Sequence, residues 1–159
     1  MSFEKENFLR TKLTRYFQQL DPSSPARWGK MNVQQMIEHF AYDAICVSSG
    51  RLPVEKIITP PQDLSRMQDF LRSDRPFKKN LLNPLLGEDP ASLRHKTIQA
   101  AIGSMHGEMI YFFEVFETNP SLKTRNPFFG DLDFEQNVLF LYKHAIHHLR
   151  QFGVEPPEA

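Results

Sequence analysis

Four stretches of this chain repeat apolar residues at helical spacing, and the second and third are separated by residues 51–90, with prolines at 53, 60, 61, 76, 84 and 90. That pattern confines the fold more than any other feature. Leu9, Leu13, Phe17 and Leu20 define an amphipathic helix over 3–20, which "DPSSP" at 21–25 ends. Asn32 with Gln35 makes a capping box, and Val33, Met36, Ile37, Phe40, Ala44 and Val47 form the apolar stripe of a second helix stopped by Ser48, Ser49 and Gly50. A third is expected from Asp89 as N-cap, with Pro90 in the first helical position, to about Glu117, its first turns either continuous with it or a separate piece. Gly103 and Gly107 weaken that helix by about 1 kcal/mol each, and being four apart they let a neighbouring backbone approach closely. Asp133 and Gln136 cap the last helix, and Gly153 stands where a left-handed C-terminal residue belongs.

Strand-like pieces such as "EKIITP" are too few for a sheet. The expectation is an all-α fold: one domain over 1–159, a four-helix bundle with a long crossover between helices two and three. Residues 51–90 read as that crossover, partly ordered, with one short helix around 62–72.

Charge and cysteine content exclude several classes. Lys plus Arg and Asp plus Glu are 19 each, so there is no global field for nucleic acid. The start, "MSFEKENFLRTKL", has no apolar core of a signal, and no stretch is long and apolar enough to span a membrane. The single cysteine, Cys46, rules out an internal disulfide and a cysteine-cluster zinc site. A cytoplasmic protein acting on a small molecule is expected, with no nucleic-acid or membrane partner. A homodimer through the very apolar third helix is also expected.

The stretch "YKHAIHHLRQFG" at 142–153 holds three of the six histidines. With His144 at 0° on a helical wheel, His148 lies at about +40°, Gln151 at about −20° and His147 at about −60°. His144 and His148 share a face, and an i,i+4 pair of imidazoles can reach one metal ion. The same spacing also arises on an ordinary polar helix face. His39, bordering the buried stripe of helix two beside Met36, Phe40 and Asp43, would complete a three-histidine site with open positions. His106 lies on the stripe of Ile102, Met109, Ile110 and Phe113, so it is a further ligand, an outer hydrogen-bonding group or a satisfied core histidine. His95, between Arg94 and Lys96, reads as solvated. Cys46 shares the face of His39, but two turns away it is too far to join it on one ion, and it reads as a buried inert thiol. Glu38 points away from His39. Asp43, Glu108 and Glu135 are either proton-transfer groups or plain surface carboxylates. Trp28, Phe40, Tyr42, Phe128 and Phe129 either wall a pocket around an ion or pack the core.

"ARWGKMNVQQMIEHF" at 26–40 and "NPFFGDLDFEQNVLFLYKHAIHHLRQFG" at 126–153 resemble the two signatures of a branch of the DinB-like superfamily, itself a domain of unknown function. The resemblance implies a four-helix bundle in which His39, His144 and His148 hold a divalent metal, often nickel or zinc; the three-histidine set by itself also suits iron, with manganese as a further option. It places Gln151 and His147 beside the ligands, with His147 not a ligand itself. Asn126 departs from the histidine that often precedes the proline in that branch. Superfamily members of known activity include thiol S-transferases and isomerases that use a low-molecular-weight thiol as cosubstrate. Two functions therefore compete: a metal-dependent transferase or hydrolase, and a non-enzymatic binding or dimerisation module with structural histidines.

Overall fold

Asn32 opens the second helix as the sequence predicts: its side chain accepts from Gln35 N while Gln35 returns a bond to Asn32 N. The computed structural model describes residues 2–79 and 89–157, so Pro84 and much of the expected crossover's second half lie outside the described residues. Helix α1 (2–19) starts as Ser2–Asn7, passes through a π-helical stretch at Phe8–Lys12 and ends as Leu13–Gln19. Helix α2 (33–49) is built the same way, with Val33–His39, a π-helical Phe40–Ile45 and Cys46–Ser49. Each π stretch widens the buried face of its helix: Phe8 and Leu9 both point inward, as do Phe40, Ala41, Ala44 and Ile45.

The short helix expected near 62–72 is present as α3, Leu64–Arg72, entered through a 3₁₀ turn at Pro61–Asp63. Helix α4, Ile98–Thr118, starts later than the Asp89–Pro90 pair suggests. Thr97 is its cap, accepting from Ala100 N, and the preceding residues are pinned in a non-helical path. The buried carboxylate of Glu38 does the pinning: it accepts from Arg94 N at 2.6 Å and His95 N at 3.3 Å. Nor, among the described residues, does a backbone approach the α4 glycines. The positions a Cβ would take at Gly103 and Gly107 meet nothing within 4 Å, and Ile110 beyond them is 46% exposed.

The "NPFFGDLD" loop proves to be a small antiparallel ribbon that the sequence reading missed. Strand β1, Thr124–Asn126, pairs with β2, Gly130–Leu132, in the register Thr124↔Leu132. Asn126 Oδ1 closes its tip by accepting from Phe128 N and Phe129 N. The connection after α2 is tied to that tip by Ile58 N→Pro127 O and Thr59 Oγ1→Phe128 O.

Helix α5, Phe134–Gln151, begins in the expected capping box of Asp133 and Gln136. It ends in a left-handed Gly153 (φ +83°), with Val154 N bonded to Leu149 O and Gly153 N to Arg150 O. That pair of bonds is a Schellman motif. The fold is all-α apart from the ribbon. Helix α2 packs against α4 and α5, α1 against α4 and α5, and α3 against α5, around one core that includes Phe17, Met36, Phe40, Met105, Phe112 and Leu141. Among the described residues no helix is long and apolar enough to cross a membrane.

Candidate metal centre

Helices α2 and α5 come from opposite ends of the sequence and bring His39, His144 and His148 together. One ligand nitrogen from each lies within 4.8 Å of the others. Ring centroids are 5.5 Å apart for His39 and His144, 5.1 Å for His39 and His148, and 4.6 Å for His144 and His148. A tetrahedral zinc with bonds of ~2.1 Å wants its nitrogens ~3.4 Å apart, so small ring rotations suffice to close the cluster on an ion.

The free nitrogens are the test of fit. His144 Nδ1 and His148 Nε2 are both buried and have no hydrogen-bond partner. An unmet buried polar atom costs about 1–3 kcal/mol, and two in one cluster are an arrangement that a shared Lewis acid would satisfy. Burial, followed by the neighbouring histidines, holds the pKa of His144 and of His148 well below the usual imidazole range. Both rings are therefore neutral at physiological pH, the form that binds metal.

Two side chains orient the ligands from behind. Asp43, one turn after His39, accepts from its Nδ1–H at 2.9 Å, which leaves His39 Nε2 as the nitrogen available to an ion. Gln151 does the same for His148. Its Nε2 donates to Trp28 O at 2.9 Å, which fixes the amide so that Oε1 faces His148 Nδ1 at 2.9 Å. Such outer contacts set the tautomer and the direction of the ligating nitrogen. Gly29 makes the Trp28 approach possible: its φ is +78°, and a Cβ there would stand 3.1 Å from Gln151 Nε2.

Apolar rings flank the cluster on the His144 side. Phe40 lies 5.5 Å from the His144 ring, Phe140 5.4 Å and Phe77 5.6 Å. Phe129, at the ribbon tip, backs Phe140. Phe77 stands in the proline-broken connection and carries no periodic signal, so the sequence reading did not find it. Asp43 was legible as an i,i+4 neighbour of His39, although its bond was not.

The remaining candidates fall elsewhere. His147 packs between Trp28 and Phe77 beside the cluster, its pKa lowered to about 4 by burial, with His39, Lys79 and Arg150 adding to the effect. His106 is half-buried, paired with Thr14 Oγ1 at 3.0 Å, and is not one of the three clustered histidines. His95 is not solvated: it is half-buried, stacks on Tyr42 and pairs with its hydroxyl at 2.7 Å. Tyr42 and Phe128 are not among the rings around the cluster. Cys46 is buried, and burial followed by Glu108 pushes its thiol up to about 12, so it stays protonated. Glu108 is ion-paired with Arg51 at 2.6 Å, and Glu135 is exposed.

Fold and site together define a helical protein with a three-histidine cluster that could hold a metal ion. Comparisons with family models, curated proteins and solved structures find no match to this chain.

Proposed function

We propose that this chain is a metal-dependent enzyme acting on a small molecule, built as a DinB-like four-helix bundle, with thiol S-transferase-like or hydrolase-like chemistry. The observation that carries the reading is the pair of buried, unpartnered nitrogens of His144 and His148 beside His39. Three imidazole ligands suit nickel or zinc, and iron or manganese less well. A bound divalent ion supplies Lewis acidity, which lowers the pKa of a water or thiol and yields a nucleophile near neutral pH.

The chain's own residues do the rest. Asp43 and Gln151 hold His39 and His148 in the ligating tautomer. Phe40, Phe77 and Phe140 pack around His144 and present an apolar surface to a substrate body. A low-molecular-weight thiol is the cosubstrate that the family resemblance suggests. Elemental analysis of protein purified without a histidine tag tests the reading, with about one first-row divalent ion per chain expected. Metal-free protein whose melting is unmoved by zinc, nickel or manganese would instead support a non-enzymatic module with structural histidines.

A further inference from the structure

Trp28 links the histidine cluster to a cleft of about 460 Å³ lined by Arg27, Trp28, Lys79, Arg150 and Glu155. Three cations face one carboxylate there, in a chain whose net charge is zero. Glu155 is already committed, its two oxygens each 2.7 Å from an Arg150 nitrogen. Arg27 and Lys79 have no carboxylate partner among the described residues. Lys79 Nζ lies 4.7 Å from the centre of the Trp28 ring, a cation–π contact that brings no opposite charge with it.

The cleft is also tied rigidly to the cluster. Arg27 N donates to Gln151 O at 2.8 Å, and the Arg27 guanidinium lies so close over Gly153 that a Cβ there would be 3.0 Å from Nη2. Gln151 is the residue that orients His148. His147 bridges the two places, its ring 5.3 Å from Trp28 and 5.1 Å from His148. Two cations without a carboxylate partner among the described residues, one residue away from a candidate Lewis-acid site, have the make-up of an anion-binding subsite. A guanidinium suits carboxylate or phosphate oxygens through its forked donors.

We propose that this cleft binds the carboxylate or phosphate end of a small anionic substrate, with Arg27 and Lys79 as its ligands and the reacting end directed to the histidine cluster. The placement of the reacting end rests on the metal-dependent reading above; anion capture by the cleft does not.

Trp28 is the only tryptophan, so its emission reports from the wall that the cleft shares with the histidine cluster, and each form is titrated against its own baseline. Inorganic phosphate and succinate are titrated at constant ionic strength, with chloride as control, into zinc-loaded and into chelator-treated protein. A saturable change in Trp28 emission is expected in both forms. Arg27→Gln and Lys79→Gln should each weaken the midpoint about tenfold through loss of one charge-assisted contact, with zinc content and melting temperature unchanged. Phosphate and succinate distinguish the two anion classes by their midpoints. Saturation in protein that takes up no metal supports the cleft while refuting the metal reading. Absence of saturation in both forms overturns the proposal. So does binding that survives Arg27→Gln but vanishes in His148→Ala, because the anion would then sit on the ion.

Discussion

Gln151 Oε1 accepts from His148 Nδ1 at 2.9 Å while the same amide's nitrogen donates to Trp28 O. One side chain thus sets the tautomer of a candidate ligand and the seat of the loop before α2. Gln151→Leu keeps the bulk and removes both bonds. Zinc affinity, measured by competition with a chromogenic chelator, is expected to fall about 10–100-fold. An unchanged affinity would show that Gln151 serves the loop only.

The three clustered histidines should behave differently from their neighbour. His39→Ala, His144→Ala and His148→Ala are each expected to abolish stoichiometric ion binding, whereas His147→Ala retains it. Elemental analysis of the four purified variants decides. Equal loss in all four would sink the ligand assignment.

Acid should destabilise the metal-free protein before any carboxylate titrates. His144, His147 and His148 have folded-state pKa values below the ordinary 6.5, so the unfolded chain binds more protons once the pH drops under that value. Their contribution is fully present above pH 6.5 and is lost as the pH falls towards the folded values, about 4 for His147. Each extra proton taken up on unfolding lowers stability by about 1.4 kcal/mol per pH unit. Urea denaturation between pH 8 and pH 5 checks this, and a flat profile would contradict the burial of these rings.

Glu38 holds the entry to α4. Its burial opposes ionisation, but the N–H groups of Arg94 and His95 and the amide of Gln34 outweigh that and lower its pKa. Glu38→Ala strands two backbone donors and should cost about 1–3 kcal/mol. Limited proteolysis is expected to cut first within 89–97, and cleavage no faster than in the unmutated protein would argue against the anchor.

The helices and their caps were legible because they rest on local chemistry. Asn32–Gln35 and Asp133–Gln136 announce themselves three residues apart, and the rotation that separates His147 from His144 and His148 needs only 100° per residue. The start of α4 was misplaced because a long-range bond, donated by Arg94 N to Glu38, overrides a good local start at Asp89–Pro90. The ribbon escaped notice because its strands are three residues each, too short for alternation to register. At the site, the sequence supplied the candidate histidines and Gln151 but not Phe77, which reaches the cluster from an aperiodic segment. Nor did it supply the cleft, whose residues come from three separate parts of the chain.

The π stretch directly after His39 has a consequence for how α2 tolerates change in length. Cys46 N bonds to Ala41 O, five residues back, so this segment holds one residue more than ordinary α geometry needs. Removing one residue from Phe40–Ile45 lets the helix reclose as a plain α-helix, and His39 keeps its bearing on α5. The residues beyond keep their bearing too, because the extra residue is the one the wider turn absorbs. Val47 and Ser48 stay on the core, so a one-residue deletion within Phe40–Ile45 is expected to cost a core side chain while sparing the ion site, whereas a deletion in an ordinary α stretch rotates all that follows by about 100°. The turn works as slack in the helix, a place where a residue can be lost without turning the half that anchors α2 away from the half that carries the histidine.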